Sequence, residues 1–202
     1  MRLSYSVIKR FFDLVLSFFL LVVLIPLFVI VSILVFLDLG LPIFFVQYRP
    51  GLDCKLIPLF KFRTMRISSS NIVSTHDDSV RITRLGSILR RTSLDEIPSF
   101  LNIFLGHMSF VGPRPLLEQY LPLYSSRQIK RHDVPPGLTG LAQINGRNSI
   151  TWTQKFEYDL LYVQNKSFFL DMLILFRSIA VVFMARNVNS PGSSTSVPFK
   201  GF

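Results

Sequence analysis

Residues 14–37 carry no charged side chain, and Asp13 and Asp38 bound them. This run constrains the fold more than any other feature of the 202-residue chain. As a helix, its 24 residues would reach about 36 Å, enough to cross a hydrocarbon core of about 30 Å. A cleaved signal peptide has a shorter apolar region followed by a small-residue cleavage site, and no such site stands before Ser32. Pro26 sits at the midpoint of the run. It has no N–H and its ring clashes with the carbonyl of Val22, so it kinks a helix. Each arm is then about 18 Å long, roughly one leaflet deep. Charge adds a second argument. Arg2, Lys9 and Arg10 precede the run, and the rest of the chain is also basic, giving a net charge of +10. Lysine and arginine favour the cytoplasmic side of a membrane. A bent helix that enters and leaves one leaflet puts both flanks there; a straight span does not. A simple transmembrane anchor stays open as the alternative, because long domains cross regardless of charge.

Half of the chain is hydrophobic and only 17% is charged, against about 25% in an average soluble domain. Disorder and a disulfide-stapled miniprotein are excluded. The single cysteine, Cys54, has no internal partner, which fits a reducing compartment. A chain both apolar and basic suits an anionic membrane surface or a polyphosphate ligand.

Residues 41–48 and 55–62 are short runs of aromatic and branched residues around the turn-prone Pro50, Gly51 and Asp53. They predict a β-hairpin. Residues 66–80 are polar and read as a loop or flap. Residues 80–91 form a basic helical stretch, and residues 94–105 a second helix candidate. Pro113, Pro115, Pro122, Pro135 and Pro136 divide the next stretch into turns and short helices. Residues 168–185 are apolar except Asp171 and Arg177, which fits an interfacial helix or a core helix. The predicted organisation is a membrane helix at 1–40, a catalytic body at 41–186 and a flexible tail at 187–202. The predicted class is α+β, mostly helical and membrane-associated. It has a Pro-kinked re-entrant N-terminal helix, a short hairpin and several interfacial helices.

Neither a Rossmann fingerprint nor a Walker loop is present, and the three histidines lack zinc-ligand spacing. Any metal would be a hard, oxygen-bound ion such as Mg²⁺. The most informative stretch is Arg90-Arg91-Thr92-Ser93-Leu94-Asp95-Glu96-Ile97-Pro98. Ser93 and Glu96 have capping-box spacing, and Asp95 is a second cap candidate. Two adjacent carboxylates beside Arg90 and Arg91 would have lowered pKa values and stay charged. Charged, they could instead supply a nucleophile toward phosphorus and a Mg²⁺ ligand. Arg114, between Pro113 and Pro115, and Arg147, in Asn145-Gly146-Arg147-Asn148, sit in tight turns suited to phosphate. Arg63 is a weaker phosphate candidate. Asp77-Asp78 reads as a solvated charge pair.

The ordered set of these pieces resembles the bacterial sugar transferase family, specifically its small monotopic phosphoglycosyl transferases. The matching stretches include Lys9-Arg10-Phe11-Phe12-Asp13, the break at Pro26, Gln47-Tyr48-Arg49-Pro50-Gly51 and Lys61-Phe62-Arg63-Thr64-Met65. They continue through Arg81-Ile82-Thr83-Arg84-Leu85-Gly86, the Asp95-Glu96 stretch, Gly112-Pro113-Arg114-Pro115 and residues 136–148. The resemblance implies transfer of a phosphosugar from a UDP-sugar to undecaprenyl phosphate, with UMP released. It makes Asp95 the nucleophile, Glu96 the Mg²⁺ ligand, Arg90, Arg114 and Arg147 the phosphate or nucleotide ligands, and Pro26 the membrane bend. It implies the cytoplasmic face of the bacterial inner membrane, contact with its lipids and room for a homodimer. By chain size the donor resembles UDP-linked acetamido sugars, often 6-deoxy. The competing class is a membrane-tethered nucleic-acid binder or a scaffold without catalysis. Its charge fits, but the basic residues are dispersed and no reader motif appears, so no nucleic-acid partner is expected.

Overall fold

The computed structural model describes residues 2–67, 81–146, 149–183 and 198–201. Two helices open the chain, α1 (Arg2–Val23) and α2 (Ile25–Leu39), bent by 63° at Leu24. Pro26 is the second residue of α2, where a missing N–H costs least. The ladder resumes around it, with Leu24 N–H on Leu20 O and Phe28 N–H on Leu24 O. Among the described residues no single helix is long and apolar enough to cross a membrane, but this bent pair together is.

A hairpin comes next. Strand β1 (Phe44–Pro50) pairs antiparallel with β2 (Leu56–Phe62), from Phe44 opposite Phe62 to Pro50 opposite Leu56. The tight turn at Leu52–Cys54 carries Asp53 and Cys54 at positive φ. Beyond the hairpin stand α3 (Arg84–Thr92), a single 3₁₀ turn at Leu94–Glu96, and α4 (Ser99–Phe104). Strand β3 (Ser109–Val111) pairs parallel with β4 (Gly137–Thr139), and two 3₁₀ turns, Glu118–Leu123 and Gln128–His132, lie between them. The chain continues through α5 (Leu141–Ile144), α6 (Trp152–Asn165) and α7 (Phe168–Phe183). Thr151 and Gln154 close a capping box at the start of α6. The class is thus mostly helical α+β, as the sequence predicts.

The main core joins Ile57 and Leu59 of β2 with Ile103, Met108, Phe110, Val111, Val134, Tyr162 and Ile174. A second cluster packs Val31 and Val35 of α2 against Phe62, Leu89 and Ile97, so the helix pair shares a core with the body. In a third, Tyr120, Phe156 and Phe199 interlock, with Trp152 and Tyr124 alongside. Of the tail expected at 187–202, residues 187–197 lie outside the described residues, whereas Phe199 is 4% exposed within this aromatic cluster. The polar stretch at 66–80 lies mostly outside them as well.

Polar bonds fasten the helix pair to the body. Arg10 donates to Ile103 O (2.6 Å) and Phe104 O (2.7 Å), capping the end of α4. Asp13 accepts from Phe110 N–H at 3.1 Å. Asp171 of α7, 3% exposed, accepts from Tyr5 (2.6 Å), Lys9 (2.7 Å) and Tyr162 (2.8 Å). That triple partnership is how a carboxylate sits inside an apolar helix. The opposite face of α7 exposes Phe169 and Phe176, 79% and 72% accessible, so the helix has both a core side and an open apolar side. At the far end of α2, Arg63 donates to the carbonyls of Leu39, Gly40 and Leu41. Arg63 is 6% exposed and closes a helix end, so it is not a phosphate ligand.

Candidate active site

Asp95 and Glu96 lie in the 3₁₀ turn between α3 and α4, not in the first turn of a longer helix. The expected capping box is absent. Ser93 takes the left-handed conformation (φ 59°), closes α3 and makes no side-chain cap bond. Glu96 turns instead to two cations. Lys61 Nζ donates to its Oε1 at 2.6 Å and Arg114 Nη2 to the same oxygen at 2.9 Å.

Several elements hold this arrangement. Lys61 comes from β2, whose backbone is stitched to α4 by side chains. Asn102 accepts from Phe60 N–H at 3.0 Å and donates to Pro58 O; Ser99 donates to Phe60 O at 2.9 Å. Arg114 comes from the loop after β3, where Gly112 N–H reaches Thr139 O (2.9 Å) and Gly137 N–H reaches Pro113 O (3.0 Å). A Cβ on Gly137 would lie 2.1 Å from Gly112 N, so only glycine permits this approach. Arg90 stands on α3, and its Nε donates to Thr64 Oγ1 at 2.9 Å. Helix α3 passes so close to Thr64 that a Cβ on Gly86 would sit 2.1 Å from Thr64 O.

The electrostatics differ from the sequence expectation in one respect. Glu96 is held well below the usual carboxylate range by Lys61 and Arg114, which outweigh its burial. Asp95 moves the other way, up to about 6. Burial is the main cause and the Glu96 charge the second; Lys61, Arg90 and Arg114 pull against them. Adjacent carboxylates in one buried turn cannot both be comfortably charged, and Glu96 has taken the direct partners. Among the described residues no hydrogen bond falls on the Asp95 carboxylate, nor on Glu96 Oε2.

The structure brings Asp95, Glu96, Arg90 and Arg114 to one turn and its surroundings. It adds Lys61, where the sequence pointed to Arg63 instead. Arg147 and the Asp77-Asp78 pair lie outside the described residues. Chemically, the cluster offers an unbonded carboxylate oxygen surrounded by three fixed cations. Such a centre accepts a multiply charged phosphate ester and presents a nucleophile to it.

Comparison with known proteins decides the family. The model of the family described as bacterial sugar transferase matches residues 4–185. The chain belongs to the bacterial sugar transferase family. It is a transferase. It is 46% identical over 198 residues to EpsL of Bacillus subtilis, a sugar transferase named as uncharacterized, covering 96% of each chain. It is 39% identical over 184 residues to the UDP-glucose:undecaprenyl-phosphate glucose-1-phosphate transferase of Klebsiella pneumoniae. That match covers 86% of this chain and 39% of the Klebsiella protein, whose remainder has no counterpart in the match. The exopolysaccharide production protein PSS of Rhizobium leguminosarum bv. phaseoli is 41% identical over 191 residues, 86% of this chain and 94% of that one.

Proposed function

We propose that this phosphoglycosyl transferase moves a phosphosugar from a UDP-sugar onto undecaprenyl phosphate through a covalent bond to Asp95. The observation that carries the reading is the unbonded, buried Asp95 carboxylate beside a Glu96 pinned by Lys61 and Arg114. An Asp95 oxygen attacks the phosphorus that bears the sugar. The bond from that phosphorus to the bridging oxygen breaks, and UMP leaves with the electron pair. A phosphate oxygen of the lipid then attacks the same phosphorus, and the acyl-phosphate P–O bond breaks to restore the carboxylate. Product is the lipid diphosphosugar. Lys61, Arg90 and Arg114 offset the charge of the incoming phosphates, and Arg147 is assigned the same task from the family pattern.

The residues present fit Mg²⁺. Asp95 and Glu96 are adjacent in one turn, and Glu96 Oε2 is unoccupied by protein donors. No group of three or more metal-binding side chains occurs among the described residues, so waters and substrate phosphate oxygens would have to supply most of the ion's ligands. Glu96 with Asp95 would hold it. Bound there, it would neutralise charge on the transferring diphosphate.

We place the protein on the cytoplasmic face of the inner membrane, with the bent pair α1–α2 re-entering one leaflet. Support comes from the bend at Pro26 and from exposed apolar side chains such as Phe11, Phe18, Leu37, Phe169 and Phe176. The lipid phosphate and the site then share head-group depth. Chain size favours an acetamido donor; the name of the Klebsiella relative favours glucose.

The test is a panel of UDP-glucose, UDP-galactose and UDP-acetamido sugars with undecaprenyl phosphate and Mg²⁺, following UMP release. We expect one donor class to turn over. Asp95→Asn, Glu96→Gln and EDTA should each abolish product. Incubation with donor alone should leave a phosphosugar adduct on the Asp95 peptide by mass spectrometry. Turnover by Asp95→Asn would refute the covalent route.

A further inference from the structure

Arg131 is 2% exposed and Asp159 is 4% exposed, and neither touches the Asp95–Glu96 turn. Arg131 donates to Asp159 Oδ2 from Nε (3.0 Å) and from Nη2 (2.8 Å). The same Nη2 also donates to the backbone carbonyl of Arg114 at 2.7 Å. The rings of Tyr124 and Phe156 lie 6.0 and 5.9 Å from its guanidinium carbon. One buried cation thus joins the 3₁₀ turn Gln128–His132, helix α6 and the Arg114 loop.

A buried ion pair is poor evidence for stability, because apolar residues of equal volume often serve as well. An apolar pair could not donate to the Arg114 carbonyl. That bond matters because the Arg114 side chain is 47% exposed and, among the described residues, its guanidinium is hydrogen-bonded to Glu96 alone. The rest of its aim comes from the backbone. Ahead of Arg114, the loop is anchored to β4 through Gly112 and Pro113. At Arg114 itself the anchor is Arg131. Pro113 and Pro115 fix φ on both sides, so the two anchors leave the residue little freedom.

We propose that Arg131 and Asp159 are positioning residues that set the reach of the Arg114 guanidinium toward Glu96 and the donor phosphates. The proposal rests on the reading of Arg114 as a donor ligand. Without the pair, Arg114 still exists but points less accurately. The loss falls on donor binding at the site that Glu96, Lys61, Arg90 and Arg114 form around Asp95. Of these four groups, Arg114 alone depends on Arg131 for its backbone.

The experiment is steady-state UMP release by the full-length protein in detergent or nanodiscs, with UDP-sugar and undecaprenyl phosphate. Arg131→Lys keeps a cation for Asp159, but its ammonium stops about one bond short of the Nη2 position that reaches the Arg114 carbonyl. We expect KM for the UDP-sugar to rise about tenfold, with KM for the lipid phosphate unchanged. The split between the two KM values is the readout that a merely structural role would not give. Asp159→Asn should repeat the pattern and serves if Arg131→Lys fails to fold. The deciding measurement is a double-mutant cycle with Arg114→Ala. In that background Arg131→Lys should cost less than about twofold more. An equal loss in both backgrounds, or a lower melting temperature with KM for the UDP-sugar unchanged, overturns the proposal. If Arg114→Ala leaves KM for the donor unchanged, the assignment of Arg114 as a donor ligand fails instead.

Discussion

Asp95 combines a raised pKa, about 6, with a role that requires the ionised form. Activity should therefore fall as pH drops through about 6, and a pH profile of kcat/KM at saturating lipid tests this directly. The same shift has an opposite consequence for stability. The folded-state pKa lies above the unfolded value of about 3.9, so the fold favours protonated Asp95. That stabilisation is full below the unfolded pKa and is lost as pH rises through about 6. At neutral pH the charged carboxylate is a cost to the fold. Asp95→Asn should be inactive yet melt higher at pH 7.5, by about 2–4 °C for each kcal/mol relieved, with the gain shrinking by pH 5. A lower melting point at pH 7.5 would contradict the account of Asp95. The carboxylate pair itself was legible from its neighbours in the chain. The direction of the Asp95 shift was not, because burial and the capture of Glu96 by Lys61 and Arg114 come from segments far away in sequence. Nor does spacing in Lys61-Phe62-Arg63 distinguish the lysine that meets Glu96 from the arginine bound to the end of α2.

Helix α3 shows how an element sets site geometry. Gly86 is its third residue, in the first turn capped by Thr83, where alanine would ordinarily gain up to about 1 kcal/mol of helix propensity. Here a Cβ would meet Thr64 O at 2.1 Å, which is impossible without moving backbone. Gly86→Ala should destabilise the protein by about 1–3 kcal/mol and lower activity as α3 carries Arg90 away from Thr64. Thermal melting with UMP release checks both; a raised melting point would mean that α3 stands off the Thr64 backbone. The hairpin was readable because its two runs flank a turn-prone segment and their β-rich composition is local information. The short elements were not. The 3₁₀ turn at Leu94–Glu96 and the six-residue α4 exist because Asn102 and Ser99 bond to β2, and a run from 94 to 105 reads as one helix without those bonds.

At the scale of the whole molecule, the helix pair is fastened to one body at both ends. Tyr5 and Lys9 reach Asp171, Arg10 reaches the end of α4, and Arg63 gathers the carbonyls of Leu39, Gly40 and Leu41. The bend between them is the part farthest from these anchors in sequence, and Val22, Val23, Ile25, Val29 and Ile30 around it are exposed. A straight span would carry its two ends about 30 Å apart, across the hydrocarbon core. Both ends could not then grip the same body. Single cysteines at Ser4 and at Ser126 of the body, in a Cys54→Ser background, should thus be labelled from the same side of the membrane by an impermeant maleimide. Labelling from opposite sides would overturn the re-entrant reading. Arg63→Met should preserve that sidedness, because the anchors on α1 remain. It should nonetheless cost about 1–3 kcal/mol of stability, since carbonyls at the end of α2 lose a buried charged donor. A change of sidedness in Arg63→Met would mean that the clamp, rather than the Pro26 bend, determines the topology.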